Sequence, residues 1–153
     1  MSLRLRLLLG TTLLLLVTGR VGAAQSLTVT PANAGSLTVT TAVAGQEPNG
    51  VALAGATYTV GVKKNKGIGS ITARLLAPLP AGTTLTINLT SPGGGASSVG
   101  PVALTTSAQP VITNLPNQST TYFNNPITYS FTATSAAGVL ALQTVTVILE
   151  LAP

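Results

Sequence analysis

The chain contains no cysteine, no histidine, no aspartate and no tryptophan, and its only acidic side chains are Glu47 and Glu150. Each absence removes a class of chemistry. Without imidazole or thiol there is no Ser-His-Asp or Cys-His nucleophile system, and no zinc or copper site built from nitrogen and sulfur ligands. Glycoside hydrolysis sets two carboxylates across one bond, whereas Glu47 stands before a Pro-Asn-Gly turn and Glu150 near the end of the last apolar run. Calcium sites gather several carboxylates, and none cluster here. A serine–lysine pair needs an amine desolvated enough to lose its proton, yet the three lysines sit together in a turn. The composition points away from an enzyme and implies no cofactor and no bound metal.

Charge is scarce as well. Charged residues make up 6% of the chain, against about 25% in a typical soluble protein. Mutual repulsion between copies is correspondingly weak. With no disulfide available, stability must come from strand pairing and an aliphatic core.

What is present begins with a targeting pattern. Arg4 and Arg6 precede the apolar run Leu7–Val17, and the small residues Gly22 and Ala24 stand just before Gln25. These are the three parts of a secretory signal peptide, expected to be helical over residues 1–24 and cleaved after Ala24. The eleven-residue run spans about 16 Å as a helix, roughly half of a ~30 Å hydrocarbon core. That favours a cleaved leader over an anchor and leaves no membrane span afterwards. Cleavage removes Arg4, Arg6 and Arg20, so residues 25–153 keep Lys63, Lys64, Lys66 and Arg74 against two glutamates, a net charge of +2. Nucleic-acid binding thereby loses its compositional support. The expected location is secreted, extracellular or in the cell envelope, at the periplasm or the cell surface.

The remaining residues, about 129, suit one domain that buries roughly two-thirds of its unfolded surface. They alternate with period two. From Ile127 to Thr134 every odd position is apolar and every even one carries a hydroxyl, the signature of a strand with one wet face. Thr84–Thr90 and Val145–Leu151 repeat the pattern, the latter with Val145, Val147, Leu149 and Leu151 inward. Further strands are expected at 26–30, 36–43, 51–62, 68–76, 101–106, 110–114 and 119–123, separated by turns at Pro31–Gly35, Glu47–Gly50, Pro78–Gly82, Ser91–Gly95 and Asn124–Pro126. Many short strands in a chain of this size indicate an all-β fold, a single β-sandwich in preference to a small β-barrel. Ser26–Thr30 recurs as Ser36–Thr40, which reads as a hairpin around Pro31–Gly35, or as a detachable first strand that pairs with a neighbouring subunit.

The one charged cluster is Lys63-Lys64-Asn65-Lys66-Gly67, where Asn65 and Gly67 accept positive φ at a hairpin tip. It is a solvated turn or a contact for anionic polysaccharide, lipid headgroups or a protein partner. Tyr122-Phe123 beside Asn124-Asn125 is the single candidate for a sugar-stacking platform. Adjacent strand residues face opposite ways, so one of the two is displayed at most, and packing is the simpler use of both. Lys63, Lys64, Lys66 and Tyr122 are therefore the candidate partner contacts. The loop Ser91–Ser98 is glycine-rich but lacks the Lys-Ser/Thr and the helix that a phosphate loop requires. Asn88-Leu89-Thr90 and Asn117-Gln118-Ser119 match the N-glycosylation acceptor pattern.

Ile127–Thr134, Ala137-Gly138 and Thr144–Val147, together with Pro80–Leu85, resemble the closing strands and a turn–strand element of immunoglobulin-like modules in bacterial secreted and surface proteins. The resemblance covers about a quarter of the chain and lacks the Cys and Trp hallmarks. It implies an immunoglobulin-like sandwich with a surface or structural role, and transfers no functional residue. The leading expectation is a secreted structural or surface-associated protein that pairs with itself at strand edges, as a layer, fibre or matrix, or with extracellular envelope components. The alternative is a binding module for glycan or a protein partner. An outer-membrane barrel shares the alternation but normally carries aromatic girdles, which are missing.

Overall fold

The computed structural model describes residues 3–8, 25–32, 35–39, 47, 49–137 and 143–153. They form an all-β, sandwich-like architecture of two sheets around one core. The first sheet has five strands in the order β2 (Ser26–Thr30), β4 (Val51–Val62), β10 (Thr120–Ala133), β6 (Thr83–Leu89) and β8 (Val102–Ala103). The second has six, in the order β3 (Gly35–Val39), β1 (Leu3–Leu8), β11 (Gln143–Ala152), β5 (Ser70–Leu75), β9 (Gln109–Thr113) and β7 (Ser97–Ser98). Both sheets are open, ending at β2 and β8 and at β3 and β7, and so differ from a closed ring. A short 3-10 turn, Ser135–Ala137, lies between β10 and β11.

The alternation expected from sequence sets the core. On β10 and β6 the register pairs Ile127 with Leu89, Tyr129 with Ile87 and Phe131 with Leu85, and all six side chains are buried. On β11 and β5 it pairs Val147 with Leu75, Leu149 with Ala73 and Leu151 with Ile71. Both sets belong to one apolar cluster, which Leu151 borders as a partly buried member. Burial of each large aliphatic or aromatic group contributes about 1.5–3 kcal/mol relative to exposure. No side chain that is polar or charged by class is buried among the described residues.

Two bulges adjust this code. Between the pairs Ala56–Ile127 and Leu53–Tyr129, β4 has one residue more than β10, and Gly55 there adopts φ +109°. Inward residues on β4 change from Val51 and Leu53 to Ala56, Tyr58, Val60 and Val62. Between the pairs Tyr122–Val60 and Asn125–Tyr58 the surplus lies on β10. Asn124 takes φ 53° and its N–H donates to Thr59 Oγ1 at 3.2 Å. An extra residue of this kind re-aims the side chains beyond it. The expected turn at Asn124–Pro126 is thus a bulge inside one continuous strand, and the strand expected at 119–123 is the first part of β10.

Other expectations are corrected. The two copies of the Ser-Leu-Thr-Val-Thr repeat do not form a hairpin: β2 pairs with β4 and β3 with β1, in different sheets. The lysine turn is no hairpin tip either, since it carries the chain from β4 in one sheet to β5 in the other. Leu3–Leu8, inside the segment expected to be a leader helix, is a strand, antiparallel to β3 and parallel to β11. Its sequence, Leu-Arg-Leu-Arg-Leu-Leu, has the period-two alternation that suits a strand. Residues 9–24, with the expected cleavage site, lie outside the described residues, as does the expected end of the second repeat strand at 40–43.

Candidate functional site

The lysine loop is held by a segment about fifty residues later in the chain. The Lys64 N–H donates to Ser119 Oγ at 3.3 Å and the Asn65 N–H to Asn117 Oδ1 at 2.6 Å, while Asn117 Nδ2 reaches back to Asn65 Oδ1 at 3.5 Å. Asn65 sits at φ 61° and Gly67 at φ 67°, the left-handed conformations that Asn and Gly tolerate best. The register explains the meeting. Thr120 pairs with Val62, so the chain leaving β4 and the chain entering β10 emerge side by side.

Tyr122 extends the same cluster. Gln118 Nε2 donates to its hydroxyl at 2.9 Å, and that hydroxyl rests against Gly94, where a Cβ would overlap it. The Ser91–Gly95 loop is braced from within: Ser91 Oγ donates to the Ala96 carbonyl at 2.6 Å and accepts from the Gly93 N–H at 3.2 Å. The lysine loop and Asn117–Ser119 are thus joined by hydrogen bonds, Gln118 extends the contact to Tyr122, and the glycine loop packs against the Tyr122 hydroxyl.

The four candidate contacts differ in display. Lys64 and Lys66 are exposed and Lys63 is half-buried. None of the three takes part in an ion pair among the described residues, where the single pair is Arg74 Nη2 to Glu150 Oε1 at 3.5 Å. Tyr122 is half-buried against the core, whereas its neighbour Phe123 is 70% exposed. Of this adjacent aromatic pair the bulge displays the phenylalanine. The clamp residues Asn117 and Ser119 were not foreseen, because nothing local in sequence connects 117–119 to 63–67.

Glu47 and Tyr58 have structural partners. Glu47 accepts from the Ser135 N–H at 2.6 Å and from Ser135 Oγ at 3.1 Å, holding the start of the 3-10 turn. Tyr58 donates its hydroxyl to the Thr90 carbonyl at 2.6 Å. Burial pushes the Tyr58 and Tyr129 phenols well above the ordinary tyrosine range. Among the described residues the buried Tyr129 hydroxyl has no hydrogen-bond partner. Of the two glycosylation acceptors, Asn88 is half-buried on β6, and Asn117 is exposed with its amide engaged by Asn65. Among the described residues no group of three His, Cys, Asp or Glu gathers in space, and no helix is long and apolar enough to cross a membrane.

No protein-family model matches the chain, and no curated protein matches it.

Proposed function

We propose that this chain is a secreted, non-enzymatic structural or cell-surface protein, an immunoglobulin-like module in the broad sense of a two-sheet surface domain, that associates with copies of itself. The observation that carries the reading is the composition of the sheet edges. The terminal strands β2, β7 and β8, which the proposed cleavage leaves in place, contain no charged residue and no proline. Charges and prolines are the usual means by which natural edges resist pairing with another chain. The structural engagement of Glu47 and Glu150 agrees with a protein that carries out no acid–base chemistry. In immunoglobulin domains the last two strands are neighbours in one sheet; here β10 and β11 lie in opposite sheets, so the kinship proposed is one of layered architecture.

The test is to express the full chain in a secreting host, determine its mass and N-terminus, and follow its assembly by light scattering and negative-stain imaging. A product that begins at Gln25 and forms multimers is expected. A product confined to the cytosol, or one that stays monomeric at high concentration, overturns the corresponding half of the reading.

The clamped lysine loop favours a second reading, a contact for anionic glycan or an acidic envelope partner. Lys63→Gln, Lys64→Gln and Lys66→Gln together should then abolish retention on anionic glycans without changing thermal stability.

A further inference from the structure

β1 is the sole strand partner of β3 among the described residues, and it also covers the first half of β11. Leu3–Leu7 pair with Val39–Gly35 on one side, and Leu5–Leu8 with Gln143–Thr146 on the other. The proposed cleavage after Ala24 would remove this strand. The processed chain would then hold a slot one strand wide, in which Ser36–Val39 and Gln143–Thr146 lose β1 as their strand partner, and backbone groups shielded from water are costly without one. Two positions of the slot lie on the core side of the sheet, because residues directly opposite share a face. One is opposite Leu37 and the other opposite Val145, which are 1% and 6% exposed.

We propose that in the processed protein this slot is filled by Ser26–Thr30 of a second copy, so that subunits link by strand exchange. The inference rests on the cleavage reading above. Three observations select this occupant. First, Ser26–Thr30 has the pattern the slot requires: Leu27 and Val29 are buried and two residues apart, while Ser26, Thr28 and Thr30 are exposed. Laid parallel to β11 as β1 is, it places Leu27 and Val29 at the two core-side positions. Second, it repeats the sequence Ser36–Thr40, and the shared run Ser-Leu-Thr-Val already lies on a strand in each sheet. Third, among the described strands β2 is an edge strand paired with β4 alone, and after the proposed cleavage Gln25 alone precedes it, so nothing must be threaded.

The backbone balance favours exchange. Leaving β4 exposes one strand edge, whereas entering the slot covers two. Each copy both donates and accepts, a head-to-tail relation that grows into an open chain unless its rotation closes a ring. The competing arrangement is that β3 moves directly onto β11, which it would meet antiparallel, with β2 remaining at home.

Because the chain lacks cysteine, paired cysteines can decide between them. In the exchanged arrangement position 28 lies opposite position 36 of the neighbour; at home Thr28 lies opposite Thr59. The full chain is secreted and its intact mass taken, in two double variants, Thr28→Cys with Ser36→Cys and Thr28→Cys with Thr59→Cys. After oxidation, a ladder of multimers on non-reducing gels is expected for the first variant, with no closed monomer for the second. An excess of synthetic peptide 25–30 should also shift the unmodified protein from multiples of the subunit mass towards the single subunit. A first variant that stays monomeric while the second closes within one chain overturns the exchange alone. A mass that retains residues 1–24 overturns the cleavage reading, and the exchange falls with it because β1 occupies the slot.

Discussion

The two sheets divide the chemistry of the chain between them. All five aromatic residues lie on two neighbouring strands of the five-stranded sheet, Tyr58 on β4 and Tyr122, Phe123, Tyr129 and Phe131 on β10. The six-stranded sheet has none, but holds every charged residue found on a described strand: Arg4, Arg6, Arg74 and Glu150. The first sheet draws its strands from residues 26–133 and pairs them all antiparallel. The second joins both ends of the chain and contains the one parallel pair among the described strands, β1 with β11. One layer has the larger hydrophobic groups and the two longest strands; the other includes β1, the segment that the proposed cleavage would remove.

That division can be broken experimentally. The largest effect is expected from Phe131→Ala on β10, where the ring is 2% exposed, at about 3–5 kcal/mol in urea unfolding. Leu75→Ala on β5, also fully buried, should cost about 2–5 kcal/mol. If it clearly exceeds the Phe131 variant, the aromatic layer is not the dominant one. Alkali should act selectively on the same aromatic layer. Folding raises the phenol pKa values of Tyr58 and Tyr129, so their contribution is intact below about pH 10, the unfolded value, and declines above it. Near pH 11 the loss is about 1.4 kcal/mol per phenol for each further pH unit, readable as unfolding that coincides with tyrosinate absorbance.

Smaller differences sharpen the contrast. Tyr58→Phe removes the bond to the Thr90 carbonyl and should cost about 1 kcal/mol, whereas Tyr129→Phe deletes a hydroxyl that has no partner among the described residues and should be neutral or stabilising. The smallest effect belongs to the six-stranded sheet. Arg74→Gln breaks an ion pair whose side chains are 33% and 47% exposed, and a change below about 1 kcal/mol that vanishes in high salt is expected.

The sequence was most legible where one face alone decides the pattern. The odd-numbered apolar series from Ile127 to Ala133, and its equivalent at Leu85–Leu89, appear in the structure as buried residues because alternation is a direct record of burial. The positive φ values at Asn65 and Gly67 were legible for a similar reason, since few residues adopt that conformation. Partner choice was not legible. Ser-Leu-Thr-Val-Thr has the same local preferences in both copies, yet one pairs with β4 and the other with β1. Asn124-Asn125-Pro126 carries turn chemistry that serves equally well in a bulge. At the candidate site, the lysines and Tyr122 were visible as residue types. The Asn65–Asn117 bond that fixes the loop joins positions 52 apart, a relation that no local pattern encodes.

The bulges at Gly55 and Phe123-Asn124 have a consequence for how this domain tolerates change over evolution. Each works as a one-letter frameshift in the inward/outward code of its strand. Deleting a single residue at either would re-address every later side chain, sending hydroxyls into the interior and oily groups to the water. Length variation along β4 and β10 should therefore be admitted only in pairs of residues, or in compensating single steps, while the loops between strands remain free to drift by any number.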